Sequence, residues 1–393
     1  MKILFIHPAT LDLISNDGDL QNSVLSVVSL CQAFSDLGMN TTLALPVISD
    51  TEAAIYRWLQ DNLSHHPKFQ IKPLNKSDYQ RNRKNKFYKY FVSSEIVQTI
   101  NATVPDLVIT RNAQWGIYFA KLGFKTIIDI HSPILAQYSI IDRITKYLIK
   151  KYIKCKNLKL IVISKNLSEY YGKLGITPQN IIVAHNGFDP DMYNFNPSKE
   201  MFKKKYDIPG NHGIAMYAGS FWPGRGTDLL LDVAGLLPDI TFIMIGGPER
   251  FKANLVDEMK RKELQNVIII SSVKRNLLPE HLFSADVLVG IFSSKLPTAE
   301  YFSSLKLIEY MATGKPIVTQ DYLSVQELIV DGETGYIARR DCAHSLAKKI
   351  SKAFTDPLAA QIGNKAREVA FSQLTWAHRA KKFLGCYDTT ASN

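Results

Sequence analysis

Cysteine is scarce in this sequence of 393 residues, and no C-x-x-C pair occurs. The four cysteines are Cys31, Cys155, Cys342 and Cys386. Because they lie far apart, they argue against a disulfide framework or a zinc site and favour reduced thiols in a cytosolic protein. Long hydrophobic runs are missing too: without about 18 consecutive apolar residues, no membrane-spanning helix is predicted. The apolar run within residues 1–8 is too short for a signal peptide, so we expect a buried first strand there.

Acidic residues are outnumbered by basic ones. The chain has 47 Lys and Arg against 36 Asp and Glu, which gives a formal net charge of +11. This excess predicts anionic partners such as nucleotides, phosphates, anionic lipids or nucleic acid. The hydrophobic share of 46% is typical of a globular protein, and a chain of this length is expected to divide into two domains.

Predicted strands alternate with helical segments along nearly the whole chain. The strand-like runs are 3–6, 41–45, 107–110, 126–130, 159–163 and 181–184, then 214–217, 241–245, 267–270, 287–291 and 316–319. Such alternation predicts parallel sheets covered by helices on both faces. A turn-rich segment at 186–191 separates the two series, so we expect two doubly wound α/β domains with a crevice between them. Ligands of such domains bind beyond the carboxyl ends of the strands.

The segment 303–318 is the strongest candidate site. Ser303 and Ser304 precede an apolar run with helical spacing, which Gly314 ends. The free N–H groups and the positive dipole at the start of such a helix can hold a phosphate. Glu309 follows about one and a half turns later, where its carboxylate could accept hydrogen bonds from sugar or ribose hydroxyls. An ordinary capped helix packed on a sheet explains the same pattern.

A glycine-rich loop at 219–226 follows a predicted strand and precedes a predicted helix. Gly219 would let the backbone approach an anion closely, and Arg225 could bind that anion through charge-assisted hydrogen bonds. A plain turn explains the glycines equally well. The third glycine of the dinucleotide-binding fingerprint is missing, so this loop is not predicted to bind a dinucleotide.

Polar residues also follow strands of the first series. His131 comes directly after one of them and could either hydrogen-bond a hydroxyl in the crevice or serve as a structural histidine. Gly18, between two aspartates, could approach a sugar or a phosphate or form a simple turn. The D-x-D patterns here and at 189–191 lie in turn-like clusters where aspartate is common, so no metal site is predicted. No Ser-His-Asp arrangement stands out, which gives covalent acyl transfer little support.

Two basic stretches interleave with aromatic residues. One covers 81–90, and the other, on a predicted helix, carries Arg143, Lys146 and Lys150 beside apolar side chains such as Tyr147. A basic amphipathic helix of this kind can lie on an anionic membrane surface or can simply be the solvated face of a helix. No nucleic-acid-binding module is recognisable, so we do not expect nucleic acid as a partner.

Taken in order, the motifs resemble family 4 of the retaining glycosyltransferases, the glycosyl transferases group 1. The matching segments are PDLVITR at 105–111, ISKNL at 163–167, VAHNGFD at 183–189, YAGS at 217–220 with Arg225 and Gly226, SADVLV at 284–289, LKLIEYMATGKPIV at 305–318 and ELIVDGETGY at 327–336. Those in the second half are the more specific. The resemblance implies the GT-B fold, in which two Rossmann-like α/β domains face each other across a crevice. The implied division is an acceptor-binding domain at 1–190, a nucleotide-sugar domain at 191–372 and a final helix at 373–393 that returns to the first domain.

The resemblance also assigns roles to the matching positions. Arg225 stands where a lysine grips the donor diphosphate, Glu309 where the donor ribose is bound, and His131 where the transferred sugar is contacted near its reacting carbon; these three are the implied catalytic residues. The other implied donor contacts are Gly18, Gly219, Ser220, Tyr301, Ser303 and Ser304, the backbone of Leu305 and Lys306 at the diphosphate, and Val273 and Arg275 at the base.

Two positions depart from the family pattern. Tyr301 stands where the family often has the first of two glutamates, with Glu300 beside it. Ser220 stands where an arginine commonly follows the glycine of the phosphate loop. These changes affect the positions that would contact the donor sugar and the diphosphate.

The implied activity is the retaining transfer of a sugar from a nucleoside-diphosphate sugar to a hydroxyl of a saccharide or lipid-linked acceptor, without a metal or another cofactor. UDP, GDP and ADP all stay open as the donor nucleotide. The implied setting is the synthesis of cell-envelope polysaccharide or glycolipid in the cytoplasm, with peripheral binding to the inner face of the membrane as a further option. Two alternatives stay open: a GT-B epimerase, and a nucleotide-sugar-binding protein without transferase activity.

Overall fold

The computed structural model describes residues 1–9, 11–12, 22–48, 52–63, 66–74, 92–134, 140–194 and 198–387. These residues divide into two compact units. The first unit is drawn from the chain up to Gly187 and again from Trp376 onward, and the second runs from Phe188 to Thr375. Each unit has its own parallel sheet.

The elements follow the expected alternation of strands and helices. The strands of the described residues are β1 (Lys2–Ile6), β2 (Leu11–Asp12), β3 (Asn40–Ile48), β4 (Gln70–Leu74), β5 (Leu107–Thr110), β6 (Thr126–Ile130), β7 (Leu158–Val162), β8 (Ile181–Val183), β9 (Gly213–Ala218), β10 (Ile240–Gly246), β11 (Val267–Ser271), β12 (Val287–Gly290), β13 (Ile317–Gln320) and β14 (Tyr336–Ala338). The helices of the same residues are α1 (Asn22–Asp36), α2 (Glu52–Asn62), α3 (Ser94–Thr103), α4 (Ala113–Lys121), α5 (Ile140–Tyr152), α6 (Lys165–Lys173), α7 (Lys199–Lys205), α8 (Thr227–Leu236), α9 (Glu249–Arg261), α10 (Leu278–Ser284), α11 (Leu305–Thr313), α12 (Leu323–Gln326), α13 (Ala343–Thr355), α14 (Ala359–Gln373) and α15 (Trp376–Leu384).

Each sheet has a point near its middle where the chain leaves one half of the sheet and continues in the other, so that the strand order reverses. The first sheet has the order β2-β3-β1-β5-β6-β7-β8, with β4 also paired to β3. The second has the order β11-β10-β9-β12-β13-β14. The reversal falls between β1 and β5 in the first sheet and between β9 and β12 in the second. At such a point the loops after two neighbouring strands diverge, which leaves room for a ligand at their carboxyl ends.

Alternate residues of β9 point to opposite faces of the second sheet. Ile214 and Met216 belong to an apolar cluster that includes residues of α11 and α14. Ala215 and Tyr217 belong to another cluster, which includes residues of α8 and α13. Because side chains alternate along a strand, a strand covered on both faces is apolar throughout, as predicted. Most of α11 is buried in the first of these clusters.

The last helix, α15, belongs to the first unit. It packs on α1, where the rings of Phe34 and Phe383 meet edge to face with centroids 5.8 Å apart. Beyond the helix, the Tyr387 hydroxyl donates to the carbonyl oxygen of Thr126 at 2.7 Å. The C-terminal segment therefore completes the unit that the N-terminal half of the chain begins.

Candidate functional site

In the second unit, the loop at 219–226 lies where the strand order reverses, after β9 and before α8. Gly226 has a φ of 87°, and a Cβ at this position would lie 2.8 Å from the carbonyl oxygen of Phe292. Gly219 is similarly confined, since its Cβ would lie 2.7 Å from the hydroxyl oxygen of Tyr217 and 3.2 Å from Nζ of Lys306. Only glycine fits both positions without strain. The loop is therefore held close to the segments that follow β12.

Helix α11 begins beside this loop. The Ser304 hydroxyl accepts a hydrogen bond of 3.2 Å from the N–H of Leu307, which confirms the predicted cap, and Ser303 is buried next to it. Within the helix, the hydroxyl of Tyr310 accepts from the N–H of Ala218 at 2.7 Å and donates to its carbonyl oxygen at 3.3 Å. Tyr310 therefore fixes the helix to the end of β9. The remaining N–H groups of the first helical turn can donate hydrogen bonds to an anion.

Lys306 lies in this first turn, with its ammonium group over two aromatic rings. Nζ is 4.3 Å from the ring centroid of Tyr217 and 4.8 Å from that of Phe292, and it donates a 3.2 Å hydrogen bond to the carbonyl oxygen of Ile291. Burial, and then the positive charge of Arg225, lower the pKa of Lys306 to about 7. No carboxylate among the described residues pairs with this ammonium group, so it can still bind an anionic ligand.

Arg225 is the second cation near this helix start. It is exposed in the loop, and its N–H donates to the carbonyl oxygen of Trp222 at 3.2 Å. In the part of the chain that the structure describes, its guanidinium group has no acidic partner. Two cations at the N-terminal end of a helix, at a reversal of strand order, are an arrangement that can attract an anion such as a diphosphate.

Glu309 lies deeper in the same helix and forms an ion pair with Arg275. Nη2 of Arg275 donates to Oε1 of Glu309, and the two side chains are 17% and 5% exposed. Arg275 begins a 3₁₀ turn, Arg275–Leu277, soon after β11. Two residues earlier, Val273 packs against the apolar cluster that contains α11. The structure therefore pairs Arg275 with Glu309 directly, and Val273 packs on the apolar cluster that contains α11.

The positions that depart from the family pattern have their own partners. Tyr301 is half-buried just before the helix start. The neighbouring Glu300 uses both carboxylate oxygens, accepting from Nη1 of Arg340 at 2.7 Å and from the N–H of Leu323 at 2.8 Å. The hydroxyl of Ser220 accepts a backbone hydrogen bond of 3.2 Å from two residues further along the loop. The Glu300 carboxylate therefore links the backbone of Leu323 to the side chain of Arg340.

The first unit contains a buried charge cluster on β6 and the segment after it. Asp129 is 1% exposed and accepts hydrogen bonds from Nε of Arg111 at 2.9 Å, Nη2 of Arg379 at 2.6 Å and Nε2 of His131 at 2.9 Å. Although burial raises it, the interactions with His131, Arg379 and Arg111 hold the pKa of Asp129 well below its usual value. The carboxylate is therefore ionised and fixes three side chains at once.

His131 is the member of this cluster that sequence reasoning singled out. Its side chain is 26% exposed. Burial, and then the charge of Arg111, lower the pKa of His131 to about 4, so the imidazole is neutral near neutral pH. A neutral ring that donates Nε2–H to Asp129 keeps Nδ1 as a hydrogen-bond acceptor. Nδ1 has no partner among the described residues, so this histidine has a structural contact and a free acceptor atom.

Sequence reasoning gave no role to Asp129, Arg111 or Arg379. The signal for Asp129 was present, because a carboxylate inside a buried strand requires a charged partner. The sequence contains no local signal that Arg379 is the partner of Asp129, because Arg379 lies 250 positions further along the chain. No spacing rule connects residues at that distance, so only the fold identifies the pair.

Two sequence predictions concern residues outside the described ranges: the Gly18 loop and the basic stretch at 81–90. The basic helix is described as α5, on which Ile144 and Tyr147 are 51% and 61% exposed among the lysines. No helix of the described residues is long and apolar enough to cross a membrane.

The D-x-D pattern at 189–191 forms a turn. The side chain of Asp189 accepts a hydrogen bond of 3.2 Å from the N–H of Asp191, at the start of a 3₁₀ turn, Pro190–Tyr193. Within the described ranges, no three His, Cys, Asp or Glu side chains form a group that could hold a metal ion.

Comparison with known proteins connects these features to a family. Residues 198–369 match the family model of the glycosyl transferases group 1. The chain is 24% identical over 233 residues to a lipopolysaccharide 1,2-N-acetylglucosaminetransferase of Salmonella typhimurium and 26% identical over 218 residues to a D-inositol 3-phosphate glycosyltransferase of Mycolicibacterium smegmatis. These matches cover 57% and 54% of this chain, and the chain spans only 60% and 48% of the length of the two relatives.

Among solved structures, the Anabaena protein Alr3699/HepE in complex with UDP superposes with a TM-score of 0.75 at 18% identity, over 98% of this chain and 99% of that one. A likeness at this identity shows a shared fold. The matched segment contains the glycine loop, both cations and Glu309. Residues 198–369 are therefore similar to the glycosyl transferases group 1, and the chain has the GT-B fold that the resemblance implied.

Proposed function

We propose that this protein is a glycosyltransferase that moves a sugar from a nucleoside-diphosphate sugar to a hydroxyl of a saccharide or lipid-linked acceptor. One observation carries the proposal: Lys306 and Arg225 lie at the start of α11 without acidic partners among the described residues, and buried Glu309 follows in the same helix. This arrangement provides two positive charges for a diphosphate and a carboxylate for the hydroxyls of a ribose.

In such a reaction the bond between the anomeric carbon and the diphosphate breaks, and negative charge develops on the departing phosphate oxygen. Lys306, Arg225 and the free N–H groups of α11 would stabilise that charge. The Lys306 ammonium group is already partly removed from water by the rings of Tyr217 and Phe292, so its field is screened less than that of a surface lysine. These charges perform the task that a bound cation performs in other transferases, so we propose a metal-independent reaction.

We further propose that transfer retains the anomeric configuration. The new bond from the acceptor oxygen forms on the face from which the diphosphate departs, and the proton of the acceptor hydroxyl passes to the departing phosphate oxygen. The resemblance supports this scheme, and it requires no additional protein base. In the first unit, we assign to Nδ1 of His131 a hydrogen bond from a sugar hydroxyl, because that atom is an acceptor without a partner among the described residues.

We base our proposals for the donor nucleotide and the acceptor on the similar proteins. The UDP bound to Alr3699/HepE favours UDP as the first donor nucleotide to test. The name of the Salmonella relative favours a saccharide of the cell envelope as the acceptor. The basic helix α5, with exposed Ile144 and Tyr147, favours peripheral binding to an anionic membrane surface on the cytoplasmic side.

Calorimetric titration with UDP, GDP, ADP and their sugars tests the donor site. Wild-type protein is expected to bind one nucleotide family, and Arg225→Met and Lys306→Met are each expected to lower the affinity by about tenfold or more, because each removes a charged hydrogen-bond donor. Lys348→Met is the matched control, since Lys348 is an exposed lysine of α13 outside this site. Failure of every nucleotide to bind would refute the donor site.

Product analysis then tests transfer. Incubation of a labelled donor with envelope lipid and saccharide extracts should yield a labelled glycan that is absent when Glu309→Gln replaces the wild type. Nuclear magnetic resonance of the product reports the anomeric configuration. Binding of the donor without any labelled product would instead identify a nucleotide-sugar-binding protein, and an altered free sugar would identify an epimerase.

A further inference from the structure

The ion pair between Arg275 and Glu309 occupies only one of the two carboxylate oxygens. Arg275 donates to Oε1, and Oε2 accepts no hydrogen bond from the described residues. Glu309 is 4% exposed, and nearly all of α11 around it is buried. A carboxylate in such a place keeps its charge and orientation only while a partner holds it. Arg275 therefore fixes Oε1 and leaves Oε2 as an acceptor of defined direction.

Arg275 has no other ion-pair partner within the described ranges. Its charge also acts on the hydroxyl of Tyr193, which is buried and has no hydrogen-bond partner among the described residues. Burial raises the pKa of Tyr193 to about 12, so this hydroxyl is neutral and does not compete for the guanidinium group. The charge of Arg275 is thus committed to Glu309 rather than shared among several acids.

We propose that Arg275 is a positioning residue that makes donor binding selective for ribonucleotides. It holds the Glu309 carboxylate so that Oε2 accepts a hydrogen bond from a ribose hydroxyl. A deoxyribose that lacks this hydroxyl leaves the carboxylate oxygen unpaired in a buried site, and discrimination follows from that loss. The inference rests on the proposed function, because it takes the ligand of the second unit to be a nucleoside diphosphate.

A purely structural Arg275 makes a different prediction. If the arginine only stabilised the fold, its removal would weaken the binding of every nucleotide by the same factor. If it acts through Glu309, its removal weakens the binding of ribonucleotides and leaves the already weak binding of deoxyribonucleotides nearly unchanged. The ratio of the two affinities, rather than either affinity alone, distinguishes these roles.

Calorimetric titration with UDP, GDP and ADP, and then with the 2′-deoxy and 3′-deoxy forms of the one that binds most tightly, measures this ratio. The wild type should prefer the ribose form over at least one deoxy form by about tenfold or more. Arg275→Met should bring the ratio close to one, and Arg275→Lys should restore part of it. Arg225→Met is the control, because the loss of a diphosphate contact should weaken the binding of the ribose and deoxyribose forms equally.

A double variant guards against loss of folding. Arg275→Met leaves a buried carboxylate unpaired, whereas Arg275→Met with Glu309→Gln removes that charge as well, and it should fold while also lacking the preference. If the wild type binds no nucleoside diphosphate, the proposed function fails and the inference fails with it. If the wild type binds ribose and deoxyribose forms equally, or if Arg275→Met or the double variant keeps the full preference, the inference alone is overturned.

Discussion

Donor affinity is expected to depend on pH through Lys306. Burial and Arg225 lower the pKa of this lysine to about 7. The diphosphate of a nucleotide sugar is esterified at both ends and keeps its charge near neutral pH, so the change in charge comes from the protein. Because the protonated lysine binds the anion, the affinity for the nucleotide sugar is highest well below the pKa of Lys306 and falls as the pH rises through that pKa.

The magnitude follows from the fraction of protonated lysine. With a pKa of about 7, about nine tenths of Lys306 is protonated at about pH 6 and about one tenth at about pH 8. The affinity of the nucleotide sugar should therefore fall by about tenfold over this range, or about 1.4 kcal/mol. Near its ammonium, burial raises the pKa of Tyr217, so this tyrosine contributes no titration of its own over this range.

The assay is a calorimetric titration of the nucleotide sugar at a series of pH values and constant ionic strength. Lys306→Met should bind about as weakly at low pH as the wild type does at high pH and should show no slope. Lys306→Arg should keep its charge and also lose the slope, whereas the control Lys348→Met should behave like the wild type. A wild-type affinity that is independent of pH, or a slope that persists in Lys306→Met, would refute the reasoning.

Three further predictions concern the stability of the two units. Arg379→Met removes a buried ion pair with Asp129, so it should lower the free energy of unfolding by about 3 kcal/mol and the midpoint in differential scanning calorimetry by about 6–12 °C, and an unchanged midpoint would contradict this. Tyr310→Phe leaves the N–H of Ala218 unpaired inside the protein and should cost about 1–3 kcal/mol in urea unfolding, with an unaltered urea midpoint as the contrary result. The pKa of His131 is about 4 in the folded protein and 6.5 when unfolded, so its full contribution to the free energy of unfolding is present above pH 6.5. About 3 kcal/mol of this stability is lost as the pH falls from the unfolded value to the folded one. His131→Gln should remove this part of the acid dependence.

The strands that the sequence predicts best are the buried ones. The predicted runs at 107–110 and 126–130 coincide with β5 and β6, because continuous β-branched and apolar residues between turns are a local signal. The predictions miss β2, β4 and β14, which lie at the edges of the sheets. In β4, a lysine and a proline interrupt the apolar pattern and half of the strand is accessible, as edge strands allow.

By itself, the sequence determined the features of the site that depend on neighbouring residues. The cap of Ser304, the glycines around Arg225 and the place of Glu309 within α11 follow from capping, turn chemistry and helical periodicity, all of which act over a few residues. Only the tertiary structure decided which charges meet: Arg275 lies on Glu309, and Arg379 reaches Asp129 from the other end of the chain. The reason is physical, since a charge finds its partner according to burial and proximity in space, and neither quantity is defined until the sheets have formed.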